Sequence, residues 1–101
     1  MSDTLPEIER EDLGGGKGRY VVRGPDGAEA EMTFTSIGTH QIIIIDHTGV
    51  PDAFRGQGVG LRLVTHAVEE ARAADKKIIP LCPFAAAQFR RHPEWADVLK
   101  Q

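Results

Sequence analysis

Apolar and polar positions along this chain keep two different periods. Gly18 to Arg23 alternates weakly through Tyr20 and Val22. Ala28 to Thr35 alternates strictly, with Ala28, Ala30, Met32 and Phe34 set against Glu29, Glu31 and Thr33. A period of two is what a strand shows when one face is buried. Gly24-Pro25-Asp26-Gly27 between them has Pro and Gly in turn-favoured places, so the two segments read as an antiparallel hairpin. After a turn at Gly38-Thr39, Gln41 to Asp46 carries consecutive isoleucines on both faces, as a central strand covered on both sides would.

The period then lengthens to that of a helix. From Gly58 to Ala74, Leu61, Val64, Val68 and Ala71 share a face that Leu63, Ala67 and Ala74 widen, while Arg62, Glu69, Glu70 and Arg72 lie away from it. Asp75-Lys76-Lys77 ends this helix. Ile78 to Cys82 reads as a short apolar strand, although Pro80 has no N–H to give to a ladder. Pro83 and His92-Pro93 bound a second helix from Phe84 to Arg91. Glu94 to Lys100 reads as a last short helix with Trp95, Val98 and Leu99 inward. The predicted order is β-β-β-α-β-α: an antiparallel meander, then a right-handed β-α-β crossover to a strand parallel to the third, then C-terminal helices. The fold class is α+β with a mixed sheet.

Residues 1–16 keep neither period. They are polar and acidic, end in three glycines, and read as a loose tail with at most a helical turn between Pro6 and Leu13, leaving residues 17–101 as the domain. At 101 residues there is room for one core and not two. A net charge of −3 argues against an extended basic face for nucleic acid. No apolar run approaches the roughly 20 residues of a membrane span. One cysteine, Cys82, excludes an internal disulfide and fits a reducing cytoplasm. The four histidines lack zinc-type spacing with it, so no metal is expected. An acidic first half and a cation-rich second half suit an anionic ligand bound late in the chain, though solvated helix faces give the same distribution.

Arg55-Gly56-Gln57-Gly58-Val59-Gly60 joins the isoleucine strand to the first helix. The first helical N–H groups have no intrahelical partner and the helix dipole adds positive charge there, so a glycine turn at that place can take phosphate. A nucleoside-triphosphate loop would need Lys-Ser or Lys-Thr, and a dinucleotide fingerprint Gly-x-Gly-x-x-Gly would need a further glycine three residues after Gly60, where Leu63 stands; neither is present. What is present is Arg-x-x-Gly-x-Gly, which resembles the pyrophosphate loop of the GNAT acetyltransferases.

The likeness widens downstream. His47-Thr48, Val50-Pro51, Phe54 to Gly60, Pro80-Leu81-Cys82-Pro83-Phe84, Phe89 and His92-Pro93-Glu94-Trp95 together resemble the small single-domain, YjdJ-like branch of that superfamily. The resemblance covers Tyr20 to Leu99. It implies a minimal GNAT-like fold in which strands Ile42–Thr48 and Lys77–Cys82 splay apart around the pantetheine arm of acetyl-CoA. It also implies a pyrophosphate on the amides of Gln57, Gly58 and Gly60, flanked by Arg55, with Val50, Gly56, Val59, Cys82, Phe84, Phe89 and His92 along the cofactor.

Acetyl transfer needs a neutral amine, stabilisation of a tetrahedral oxyanion and a proton for the departing thiolate. The resemblance sets Cys82 beside the thioester, where it would accept the acetyl group or protonate coenzyme A's sulfur. A lone cysteine in an apolar run is otherwise packing. His47 is the candidate general base, and Tyr20 is a weaker candidate proton donor. The expected activity is N-acetyl transfer from acetyl-CoA to an amine of a small molecule or protein, by a cytoplasmic monomer or weak homodimer without nucleic-acid or membrane partners. The alternative is a CoA-binding module that acts through a protein partner.

Overall fold

The two periods become a five-stranded sheet with its helices on one face. The computed structural model describes residues 7–24, 27–39, 41–54 and 56–100. Residues 1–6, the turn residues Pro25 and Asp26, and Arg55 therefore lie outside the described residues. Strands β1 (Ile8–Gly14), β2 (Lys17–Arg23), β3 (Glu29–Ile37), β4 (Ile42–Gly49) and β5 (Lys77–Pro80) lie side by side in chain order. All neighbours are antiparallel except β4 and β5, which are parallel.

Alternation carries Tyr20, Val22, Ala30, Met32, Phe34, Ile43 and Ile45 to one face, where all are buried. Helix α1 (Val59–Ala74) covers it with Val59, Leu63, Val64, Ala67, Val68 and Ala71. Burying each large apolar side chain in this layer contributes about 1.5–3 kcal/mol. The buried stripe is rotated from the one the periodicity predicts: Leu61 is 38% exposed and Ala74 is exposed. Helix α2 (Pro83–Arg91) and a 3-10 helix at Pro93–Val98 close the core through Ala85, Phe89, Trp95 and Val98. The last turn is thus 3-10 rather than α. After it, Leu99 bridges to Ile78 and Lys100 donates its N–H to the Ile78 carbonyl at 2.9 Å.

Two expectations are corrected here. The segment read as a loose tail is a strand from Ile8 onward, paired with β2 from Ile8↔Val22 to Gly14↔Lys17. Its alternation is one of charge rather than hydrophobicity. Glu9 and Glu11 face Arg19 and Arg23 on the open side, while Ile8 packs on the core. A charged edge strand also resists pairing with another molecule's sheet. The isoleucine strand is covered on one face only: Ile43 and Ile45 are buried, Ile42 and Ile44 half-buried. The opposite face carries no helix among the described residues.

On that bare face an ion lattice does the covering. Arg19 reaches Glu11 and Glu31 at 2.8 Å and Glu29 at 3.2 Å, and Arg23 reaches Glu11 at 2.6 Å and Glu29 at 3.1 Å. Val21, between the two arginines on β2, is fully buried without belonging to the helix-side core.

Candidate functional site

The chain between β4 and α1 is pinned by Phe54, which ends a short 3-10 turn (Asp52–Phe54) and is buried in the core. From that anchor the glycines turn the backbone into the helix. Gly56 and Gly58 sit at φ +78° and +66°, and a Cβ on either would meet nothing within 4 Å. Gly58 is the N-cap of α1 and supplies no side-chain cap; no acidic residue stands in the first turn. The first helical bond runs from Arg62 N–H to the Gly58 carbonyl at 3.0 Å. The amides of Val59, Gly60 and Leu61 precede it and have no partner within the helix. They and the helix dipole offer positive potential to an anion.

These amides open onto a cleft of about 370 Å³ lined by Val50, Phe54, Gly56, Gly58, Val59, Gly60, Leu61, Phe84, Gln88 and Arg91. At Gly60 a Cβ would fall 2.7 Å from Cζ of Phe84, whose ring forms the opposite wall, so any larger residue there has to push that ring aside. Helix α2 therefore faces the glycine turn with Phe84, Gln88 and Arg91, spaced i, i+4 and i+7.

Next to the cleft the sheet comes apart. The β4–β5 ladder ends at Ile45↔Pro80, whereas β4 stays paired with β3 as far as Gly49↔Glu31. Leu81 and Cys82 both turn their N–H groups to the Ile45 carbonyl, at 3.2 and 3.1 Å. Beyond that point β5 gives way to α2. Residues 46–49 thus have no strand beside them on the β5 side, and a ligand with amide groups can pair there. Pro80 contributes because its ring nitrogen cannot donate. At the same place β4 is bulged: Thr33 pairs with His47 and Phe34 with Ile45, leaving Asp46 as the extra residue. A bulge puts two successive side chains on one face.

Cys82 sits at the root of this opening, 5% exposed, as the N-cap of α2. This corrects its placement in a strand. Its thiol donates to Thr48 Oγ1 at 3.3 Å, and its sulfur accepts the Ala85 N–H at 3.5 Å.

The structure brings Val50, Gly56, Gly58, Val59, Gly60 and Phe84 to one cleft, with Cys82 beside the strand opening. Others lie elsewhere. Gln57 spends its amide on the Phe54 carbonyl at 3.2 Å, so that amide is not offered to an anion. Phe89 meets Trp95 edge-on with centroids 5.3 Å apart, and His92 stacks on Trp95 at 4.2 Å while its Nδ1 contacts the Gln88 carbonyl at 2.8 Å. Both pack the C-terminal turn and not the cleft. His47 is exposed and belongs to the helix-free face. Tyr20 is far from this region in role: its hydroxyl donates to Glu70 at 2.6 Å, and burial, followed by that carboxylate, pushes the phenol's ionisation upward. It stays a neutral core group. Gln88, Arg91 and Thr48 are site residues that the sequence reading missed, although the helical spacing from Phe84 points to the first two.

A sequence model described as GCN5-related N-acetyl-transferase matches residues 19–98. Among solved structures, the solution NMR structure of a GCN5-like candidate N-acetyltransferase from Staphylococcus aureus is 35% identical, with a TM-score of 0.70. The match covers 96% of this chain and 90% of that one. No curated protein matches. With the glycine turn, the parted strands and this breadth of similarity, the chain belongs to the GCN5-related N-acetyltransferase family.

Proposed function

We propose that this protein transfers an acetyl group from acetyl-CoA to an amine. One observation carries the reading: the parallel ladder stops at Ile45↔Pro80 beside a helix start with no side-chain cap and two left-handed glycines. The residues present fit the cofactor. The first-turn amides of α1 and Arg91 would hold its pyrophosphate, and the free edge of β4 would pair with its pantetheine amides. When bound, acetyl-CoA supplies a thioester, an acyl group already activated for attack.

The chain's own groups would then manage protons and charge. His47 takes a proton from the incoming ammonium, and the free amine attacks the acyl carbon. As the carbon–sulfur bond breaks, the thiol proton of Cys82 would pass to the departing sulfur, and Cys82 would take up the second proton of the amine nitrogen in its place. In the covalent variant Cys82 sulfur attacks first and the same proton leaves with coenzyme A. The amine would then displace Cys82, whose sulfur would take up the second proton of the attacking nitrogen. Thr48 and the Ala85 N–H orient the sulfur in either course.

The test is a calorimetric titration with acetyl-CoA followed by turnover on a panel of amines. Acetyl-CoA at 100 times its dissociation constant should stabilise the fold by roughly 2.7 kcal/mol. Binding with turnover of at least one amine is expected. Binding without any turnover would favour a CoA-binding module, and no binding would remove the glycine turn from any cofactor role.

A further inference from the structure

We propose that the acceptor is a primary alkylammonium group that docks on the helix-free face of the sheet, held by Asp46. The inference rests on the acetyl-transfer reading and names its second substrate. The β4 bulge sets Asp46 and His47 side by side on the bare face, at the residues immediately after the last rung of the β4–β5 ladder. The Ile45 carbonyl, which accepts the Cys82 N–H at 3.1 Å, immediately precedes this pair. The thiol points to Thr48, whose β3 partner Met32 is buried under the helices; His47 pairs instead with Thr33 on the other side. Sulfur and base thus approach the parted strands from opposite faces. A thioester threaded between those strands leaves the bare face open to the nucleophile.

Asp46 is distinct among the carboxylates of that face. Glu9, Glu11, Glu29 and Glu31 are each tied to Arg19 or Arg23. Asp46 is exposed and receives one neutral donor, the Thr35 hydroxyl at 2.8 Å. Lys17 reaches that hydroxyl at 3.4 Å and forms no ion pair with the carboxylate. A charged acceptor with no cation paired to it among the described residues, one residue from the candidate base, matches an ammonium. His47 leans over Gly49, where a Cβ would come within 3.2 Å of its Nε2, so glycine leaves the ring room beside the opening. The face beyond Gly49 is a shallow depression lined by Arg19, Glu29, Glu31, Gly49, Val50 and Pro51. It has no walls to enclose a large apolar acceptor, and it admits a linear alkyl chain.

The step balances within these groups. The ammonium gives one proton to His47, the neutral amine forms the carbon–nitrogen bond, and the thioester's carbon–sulfur bond breaks. The second amine proton neutralises the departing thiolate, directly or by way of Cys82.

The experiment measures acetylation of 1,4-diaminobutane, of a lysine-containing peptide and of an arylamine that is neutral at pH 7. Wild type, Asp46→Asn, Asp46→Glu and Glu9→Gln are compared; the last removes the same charge at the far edge of the sheet. Asp46→Asn should raise KM for the alkylamine at least tenfold, with kcat, the arylamine KM and acetyl-CoA affinity unchanged. Asp46→Glu should recover most of the loss and Glu9→Gln should behave as wild type. The first two arms decide whether the ammonium comes as a free diamine or on a lysine side chain. Turnover of the arylamine alone, or an alkylamine KM indifferent to Asp46→Asn, overturns the proposal and leaves acetyl transfer standing. Binding of acetyl-CoA with none of the three amines acetylated brings down the parent reading. In that case, amide shifts at Asp46 and His47 on adding 1,4-diaminobutane to the CoA-bound protein would still support the ammonium site, and their absence would overturn it.

Discussion

Gly58 and Gly38 form a matched pair for separating backbone strain from ligand binding. Both hold left-handed backbone, at φ +66° and +60°, and a Cβ at either meets nothing within 4 Å. Alanine at each position therefore suffers the same penalty, about 1–2 kcal/mol for an L residue held left-handed. In a domain of this size each kcal/mol lowers Tm by roughly 4–8 °C, so both variants should melt about 4–16 °C below wild type. Their surroundings differ completely. Gly38 turns the chain from β3 into β4 at the end away from the cleft, while Gly58 caps α1 and lines the cleft itself. On the proposed reading a Cβ there intrudes on the space of the phosphate, and relief of the strain would tilt the first turn. Losing one amide bond to a charged group costs about 1.5–3 kcal/mol, or roughly tenfold to a hundredfold in affinity. Calorimetric titration with coenzyme A should record that loss for Gly58→Ala and none for Gly38→Ala. Equal affinities in the two variants would refute the assignment of this turn to the cofactor, whatever their melting points.

Cys82→Ala should abolish any acetyl label that intact-protein mass spectrometry finds on the enzyme after incubation with acetyl-CoA alone; a wild-type protein that never carries the label would favour direct transfer. Acid should loosen the bare face. The hydrogen bonds of Arg23 and then Arg19 hold the Glu11 carboxyl below its ordinary range, and Arg72 does the same for Asp97. A carboxyl lowered in the folded state contributes stability above its unfolded value and loses it as pH falls through that value toward the folded one. Melting temperature should therefore drop on acidification through and below the ordinary carboxylate range, and Arg23→Gln should flatten the drop; an unchanged slope in that variant would refute the lattice's role.

Much of this architecture is legible in one sequence because burial on the helix side follows strict periods. The alternation through Met32 and Phe34, the α1 stripe and Pro83 at the start of α2 each mark an element that the structure contains. What escapes is whatever depends on partners distant in the chain. Strand β1 sends Ile8 and Arg10 toward the helix side, Arg10 lying over the Phe34 ring and pairing with Glu70, while Glu9 and Glu11 have a meaning that appears only when Arg19 and Arg23 lie alongside. The bulge at Asp46 is a mismatch between two strands and cannot be read from either alone. Gln57 illustrates the same limit within the site. Its position in the glycine turn suggests a free amide, yet the Phe54 carbonyl takes it because burial of Phe54 fixes the preceding loop.

A sheet with helices on one side must still protect its other side, and this chain does so unevenly. Across β1, β2 and β3, arginines and glutamates alternate densely enough to bury Val21 beneath them. On the open face of β4 the lattice stops: Asp46 and His47 are exposed and Ile44 is half-buried. Each arginine–glutamate contact is worth little alone, being partly solvated, so the lattice serves chiefly to cover a surface and to keep edge β1 from pairing with a second sheet. Extending it over β4 would place arginines against the stretch where the ladder is open on the β5 side. Uncovered polar groups are tolerated there because they border the gap between strands, and the stretch that lacks both a helix and an ion lattice coincides with the proposed route of the nucleophile. On this argument, introducing Arg at Thr33, the β3 partner of His47, should leave melting within a few degrees of wild type while suppressing turnover of alkylamines.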